Sequence, residues 1–331
     1  MGARSHLEGI SMFKTVIAYK YNKDETDFSR IHEQIKNDNY RFTPLNNSQQ
    51  FTQGFSRFFD DVFIIEADNR ILLNITFSSK KISPTAVKDL LAERLEAVKT
   101  EQNIESVSDD AVAIYTQEIE NNILKYTAPI NKTVRLLIDK NTHHIYVDAP
   151  STLLAEDALH QLRKMIGTLV CRYISSQSAN EILSDLIQPA SSRSLGYLRI
   201  AEYPSVEANS HENDVKISLS GICRHDDLFT DLFIYRQIKS LEFELFSQNN
   251  HLTIATFQFC VGKNGQLIIK KFSFDEPDDA NSDEHIDDSS YRYTSKMLLV
   301  GRYMALIIES LNSFLTIDNH YEKQTKTSTP R

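Results

Sequence analysis

The 331-residue sequence is short of glycine, with nine, and of cysteine, with three. The glycines never form the GxGxxG or Walker spacing that cradles a phosphate, and no GxSxG nucleophile elbow is present. Cys171, Cys223 and Cys260 are odd in number, widely spaced and set in apolar surroundings. That predicts buried free thiols in a reducing cytosol rather than a disulfide frame. No paired-cysteine spacing points to zinc. His143-His144 and Cys223-Arg224-His225-Asp226 could be drawn as ligands, but adjacent strand residues face opposite ways and neither group has a second cluster. No metal and no cofactor are therefore expected. No run of eighteen apolar residues occurs, so no membrane span is expected. Residues 1–11, MGARSHLEGIS, lack the apolar stretch of a secretory signal and read as a leader or upstream extension before Met12-Phe13-Lys14.

Positive charge is also in deficit: 36 Lys and Arg against 45 Asp and Glu give a net −9. Asp275, Glu276, Asp278, Asp279, Asp283, Glu284, Asp287 and Asp288 concentrate that imbalance in one segment, and without those eight acids the rest of the chain carries only −1. A local basic face can then still hold phosphates. The segment itself lacks the spacing of an EF-hand and reads as a solvated loop.

What is present is a pattern of strands and helices in separate runs, which predicts an α+β chain. Phe13–Tyr21 alternates as a strand, and Asp27–Asn37 reads as a helix with Phe28, Ile31 and Ile35 on one face. Val62–Glu66 and Ile71–Phe77 flank Ala67-Asp68-Asn69-Arg70, a hairpin signal. Pro84 opens a helix, Asp109 or Asp110 can cap a second, and Pro129 closes it, so a helical hairpin is expected. Strands at Val134–Ile138 and Ile145–Val147 precede a helix capped by Ser151 or Thr152 and stopped at Gly167. A short helix at Glu181–Ile187 follows. Alternating segments then run through Leu195–Tyr203, Val215–Ile222, Ser240–Phe246, Leu252–Val261 and Leu267–Phe274, with a tight turn at Lys263–Gln266. Lys296–Leu315 reads as a last helix, and the polar tail is expected to be disordered.

Carboxylates outside the acidic segment are scattered, and none pair as acid and base by sequence. The basic residues are more suggestive. Lys80-Lys81 stand at the entry to the helical hairpin, and Lys88, Arg94 and Lys99 lie on the polar side of its first helix. Lys125, Lys132 and Arg135 flank the return, and Arg163-Lys164, Lys216 and Lys270-Lys271 lie on other elements. Taken singly, each is an ordinary solvated charge. Converging on one face, they would neutralise phosphates without reading bases.

Several ordered segments resemble the recombination-associated RdgC family: Met12-Phe13-Lys14, Gly54-Phe55, Lys81-Ile82-Ser83-Pro84 with Val87, and Leu137-Ile138-Asp139. Val147-Asp148-Ala149, Ala155-Glu156-Asp157, Leu162-Arg163-Lys164, Gly167 and Leu169 follow in the same order, and Gly265–Phe274 looks like the family's late hairpin strand. The resemblance implies a horseshoe-shaped α+β protomer with antiparallel sheets and a projecting helical hairpin, closing as a ring-shaped homodimer. It implies a central domain of residues 12–80, 135–175 and 265–320, a helical tip of 81–134, a base of 176–264 and a tail of 321–331. It implies a non-catalytic, cytoplasmic, nucleoid-associated protein that encircles double-stranded DNA without sequence preference and restrains RecA-type recombination. The phosphate contacts would be Lys81, Lys88, Lys125, Lys132, Arg163, Lys164, Lys216, Lys270 and Lys271.

Some segments depart from the family pattern. Residues 125–132, KYTAPINK, lack the phenylalanine and part of the charge of the family's tip, and ISLSG after Lys216 replaces a basic run. They motivate a second reading, a ring-shaped interaction module with weakened DNA binding that acts on a recombination or defence partner. A nuclease is a third.

Overall fold

Alternating and continuous apolar runs build thirteen strands among the described residues, all in one sheet. The computed structural model describes residues 12–188, 193–210, 215–233, 236–249, 251–274 and 289–315. The leader, the acidic segment 275–288 and the tail lie outside the described residues. The first elements are β1 (Thr15–Tyr21), α1 (Ile31–Gln34), β2 (Phe51–Ser56), β3 (Ile64–Ala67) and β4 (Arg70–Ser79). The helical hairpin α2 (Pro84–Gln102) and α3 (Asp109–Tyr126) comes next, then β5 (Ile130–Asp139), β6 (His144–Asp148) and α4 (Thr152–Ile166). Then come β7 (Cys171–Tyr173), α5 (Ala179–Leu186), β8 (Leu198–Ile200), β9 (Val206–Ser210), β10 (Lys216–Leu219) and α6 (Asp227–Phe233). Long antiparallel strands β11 (Arg236–Phe246), β12 (Thr253–Val261) and β13 (Leu267–Phe274) precede α7 (Ser289–Phe314). With seven helices among the described residues and a large antiparallel sheet, the chain is α+β.

The chain divides into two compact units: residues 1–29, 64–73 and 135–331 form the first, and 30–63 and 74–134 the second. In the first unit the strands run in the order β10-β9-β11-β12-β13-β1-β6-β5-β4, with β3 on β4, β7 on β1 and β8 on β11. Val16, Ile17, Ala18 and Tyr19 are consecutive and all buried, so both faces of β1 are covered. β11–β13 differ. Leu241, Phe243, Phe257, Phe259, Leu267 and Ile269 share one face and are buried. The opposite face carries Ser240, Glu242, Glu244, Thr256, Gln258, Cys260 and Lys270.

The apolar stripe of α7, including Met297, Val300, Met304, Ile307 and Leu311, is buried, and the helix packs on β3. By length and composition α7 could cross a membrane, but half of its most apolar stretch is spent on the core. Gly301 lets α7 approach Arg70, because a Cβ there would lie 2.5 Å from Arg70 Nε. Arg70 Nε donates to the fully buried Asp139 Oδ2 at 2.9 Å, and the guanidinium also pairs with Asp68. The pair ties the β3–β4 hairpin to the end of β5. Asp68 and Asn69 both have positive φ, 51° and 55°, as the favoured two-residue hairpin turn requires.

In the second unit, β2 pairs with residues 74–79 of β4. Gly54 admits a second backbone here: a Cβ would lie 2.6 Å from the Arg41 carbonyl carbon and the Phe42 nitrogen. Phe55 N–H donates to Tyr40 O and Phe42 N–H to Phe55 O, both at 2.8 Å. Helices α2 and α3 pack on each other, capped by Ser83 and Ser108.

Several expectations need correction. The predicted helix over 27–37 shrinks to the single turn α1, because Asp27 Oδ1 accepts from Ser29 N–H and the exit uses i→i−3 bonds at Lys36 and Asn37. Its apolar face is nonetheless buried. The cap of α3 is Ser108, with Asp109 and Asp110 in the first turn, where they complement the helix dipole. Strands β2 and β9 and helix α6 were not expected. β5 starts four residues earlier than predicted, and α7 seven.

Candidate nucleic-acid interface

Of the predicted phosphate contacts, Lys81, Lys88, Lys125 and Lys132 belong to the second unit. All four are exposed. Lys81 lies just ahead of the Ser83 cap, Lys88 in the second turn of α2, Lys125 at the end of α3 and Lys132 early in β5. Lys125 Nζ donates to Asn122 Oδ1 at 3.3 Å. Lys80 takes a different role. Its ammonium is buried and donates to the carbonyls of Asn46 at 3.0 Å and Leu124 at 2.9 Å. It satisfies a carbonyl in the last turn of α3, where a cation is favoured. Between the two helices, an open cleft of about 850 Å³ is lined by Leu90, Arg94, Tyr115, Ile119 and Tyr126, with the Arg94 guanidinium 5.2 Å from the Tyr115 ring centre.

Arg163, Lys164, Lys216, Lys270 and Lys271 belong to the first unit. Arg163 is half-buried and donates through Nε to the Leu169 carbonyl at 3.1 Å, holding the exit of α4. Lys164 is exposed in the same last turn. Lys216, at the sheet edge on β10, pairs with Glu207 Oε2 at 3.1 Å. Arg135 is committed to Asp148 at 3.2 Å, an aspartate that also accepts from Phe13 and Thr15 N–H.

Lys270 and Lys271 are the pair that the fold treats unusually. In a regular strand, successive side chains alternate faces. Here both are exposed, because the β12–β13 ladder slips: Thr256 pairs with Ser273 and Gln258 with Lys270, so Phe257 stands opposite two residues. Lys271 is the extra one, with φ 51°. A non-glycine residue in that region costs on the order of 1–3 kcal/mol and persists where the surroundings impose it. Burial pushes the Cys260 thiol up, and Lys270 and, more weakly, Lys271 act to lower it. The acids of the polar face are already engaged: Glu207 with Lys216, Glu242 with Ser205 N–H at 2.8 Å, and Glu244 with Arg199 at 2.7 Å. Among the described residues, Lys270 and Lys271 have no ion-pair partner. Lys14, not selected from the sequence, lies beside them: its carbonyl accepts from Phe272 N–H at 3.2 Å, and Thr15 pairs with Lys270. The bulge has a sequence signal. In LIIKKFSF the apolar residues Leu267, Ile269, Phe272 and Phe274 step by two, three and two.

This arrangement can bind polyanions through cations on rigid strands and helices. Among the described residues, no group of three or more His, Cys, Asp or Glu could hold a metal ion.

A family profile described as "Putative exonuclease, RdgC" matches residues 12–192, more than half of the chain. The chain belongs to the RdgC family. Relatives called recombination-associated protein RdgC are similar at low identity. That of Shewanella baltica (strain OS223) is 23% identical over 312 residues, covering 90% of this chain and 95% of the relative. That of Psychromonas ingrahamii is 25% identical over 319 residues, covering 91% and 97%. The match to the Shewanella loihica protein is 26% identical but spans only about half of each chain, 47% and 52%. RdgC membership makes this a recombination-associated protein.

Proposed function

We propose that this RdgC-family chain is a non-catalytic, sequence-independent binder of double-stranded DNA. In this reading it works as a homodimer that encloses the duplex in a ring, in the cytoplasm at the nucleoid. There it competes with a RecA-type recombinase for DNA and restrains recombination. The observation that carries the reading is the charge arrangement: lysines that are exposed and, among the described residues, without ion-pair partners stand on both units, at Lys81, Lys88 and Lys132 and at Lys270 and Lys271, while on β9 and β11 Glu207 and Glu244 are paired and Glu242 accepts from Ser205 N–H. Lysines of this kind neutralise backbone phosphates and carry no base information.

The test is a titration of the full chain against a labelled duplex at several salt concentrations. Five phosphate contacts predict a slope of about −4.5 in log affinity against log salt per protomer. Two duplexes of unrelated sequence should bind alike. Absence of binding at low salt, or a flat salt dependence, would remove the reading. The thinned tip charge at residues 125–132 favours the second reading, a ring-shaped interaction module with weakened DNA binding. In that case a recombinase would be retained by the chain after nuclease treatment while the duplex is not bound. The exonuclease named in the family description predicts metal-dependent shortening of a linear duplex in the same tubes, an outcome that would overturn the non-catalytic reading.

A further inference from the structure

We infer that the cleft between α2 and α3 is a docking groove for a cationic amphipathic helix of a partner protein. The inference goes beyond the DNA-binding reading and does not depend on it. The groove lies wholly on the helical hairpin of the second unit, and its lining is mainly apolar and acidic.

The hairpin leaves most of its apolar surface unspent. α2 has 19 residues and buries only Val87 and Val98, and α3 has 18 and buries only Leu124. Helices in proteins are held chiefly by packing an amphipathic face. Here such a face is turned to the cleft: Tyr115, Ile119, Ile123 and Tyr126 line it at helical spacing from α3, and Leu90 lines it from α2. Leu90 is 44% exposed and Tyr126 90%. The cleft has a volume of about 850 Å³. From Tyr115 to Tyr126 its wall runs about 16 Å, three helical turns. A groove of that length between two helices suits a third helix, whose own stripe at i, i+4 and i+7 would complete the packing.

Charge selects the occupant. Residues 84–127 carry nine Asp and Glu against four Lys and Arg, a net −5. Two of those acids, Glu93 and Glu118, line the cleft, one from each helix. Both are exposed and, among the described residues, neither has an ion-pair partner. Arg94, which also lines the cleft, spends its charge on the Tyr115 ring, with its guanidinium 5.2 Å from the ring centre. The groove therefore offers an apolar stripe with an unpaired carboxylate from each helix. Lys or Arg flanking the apolar stripe of an incoming helix would pair with them. A second copy of the hairpin would bring the same net −5, and like charges facing each other oppose the contact.

The experiment titrates the full chain, without DNA, against two labelled model helices: an amphipathic peptide of leucine and lysine, and its counterpart of leucine and glutamate. Anisotropy should show saturable binding of the lysine peptide, one per protomer, and binding of the glutamate peptide weaker by roughly tenfold or more. Glu93→Lys/Glu118→Lys should reverse that preference, a gain that also shows the variant to be folded. Tyr126→Ser, at an exposed position, should weaken the lysine peptide several-fold and leave thermal unfolding unchanged. Glu101→Lys/Glu105→Lys makes the same change of charge outside the cleft and should bind as wild type. No saturable binding, equal binding of the two peptides, or an equal loss in the control pair overturns the inference. So does a wild type that binds neither peptide while Tyr126→Ser dissociates its dimer, because the occupant is then a second copy. With no DNA in the tubes, each of these outcomes leaves the DNA-binding reading to its own titration.

Discussion

His144 shows how burial converts one side chain into a pH response. It follows the left-handed His143 into β6, and its Nδ1 has no hydrogen-bond partner among the described residues. Burial, with help from Lys20 and His143 and against Asp139, holds its pKa down to about 4. A free histidine titrates near 6.5. Between those values the unfolded chain takes up a proton that the folded chain refuses, so stability falls as pH drops from about 6.5 toward 4. At about 1.4 kcal/mol per unit, the loss approaches ~3 kcal/mol. Urea unfolding of wild type and His144→Asn across that range should give a smaller pH dependence in the variant. Identical slopes would show that His144 does not carry the effect. Nothing in the sequence distinguishes His144 from His143 on this point. Their separation depends on which residue turns and which enters the sheet.

Among the elements, β2 depends most on one residue. Gly54 is the place where residues 40–42 cross the strand at backbone distance. A methyl group there would have to displace main-chain atoms rather than a flexible side chain. Gly54→Ala should therefore destabilise the second unit by roughly 1–3 kcal/mol, the range for an overpacked site. Thermal unfolding followed with proteolysis mapping would check it, and an unchanged melting temperature would count against it. Gly54-Phe55 was visible in the sequence as a marked pair, but β2 itself was not, since FTQGFS has no clean alternation. The helices were more legible. Pro84 marks a helix start and Ser151 or Thr152 a cap; in the structure Pro84 opens α2 behind the Ser83 cap and Ser151 caps α4, because capping depends on local backbone donors. Asp27–Asn37 shows the opposite case, in which local side-chain bonds shorten a helix that apolar spacing alone suggests.

At the scale of the whole molecule, the proposed function requires two copies. Sedimentation equilibrium of the full chain should give twice the 38.0 kDa protomer mass. A strict monomer at micromolar concentration, together with tight duplex binding, would rule out the ring while leaving DNA binding in place. The cleft between α2 and α3 and the polar face of β11–β13 belong to different units.

The sequence by itself determined the α+β class, the helical hairpin, the β3–β4 turn and the family, because each rests on local periodicity, capping, turn chemistry or ordered motifs. It also marked most of the lysines. Which lysines stay available was decided only by the tertiary structure. Lys80 is drawn inward to carbonyl oxygens, Arg135 and Lys216 are taken by carboxylates, and Arg163 closes a helix exit. The Lys14 backbone meets the β13 bulge because β1 pairs with β13, some 255 residues away in the chain. Such pairing depends on long-range register, and a one-residue slip in that register is what leaves two successive side chains, Lys270 and Lys271, both exposed.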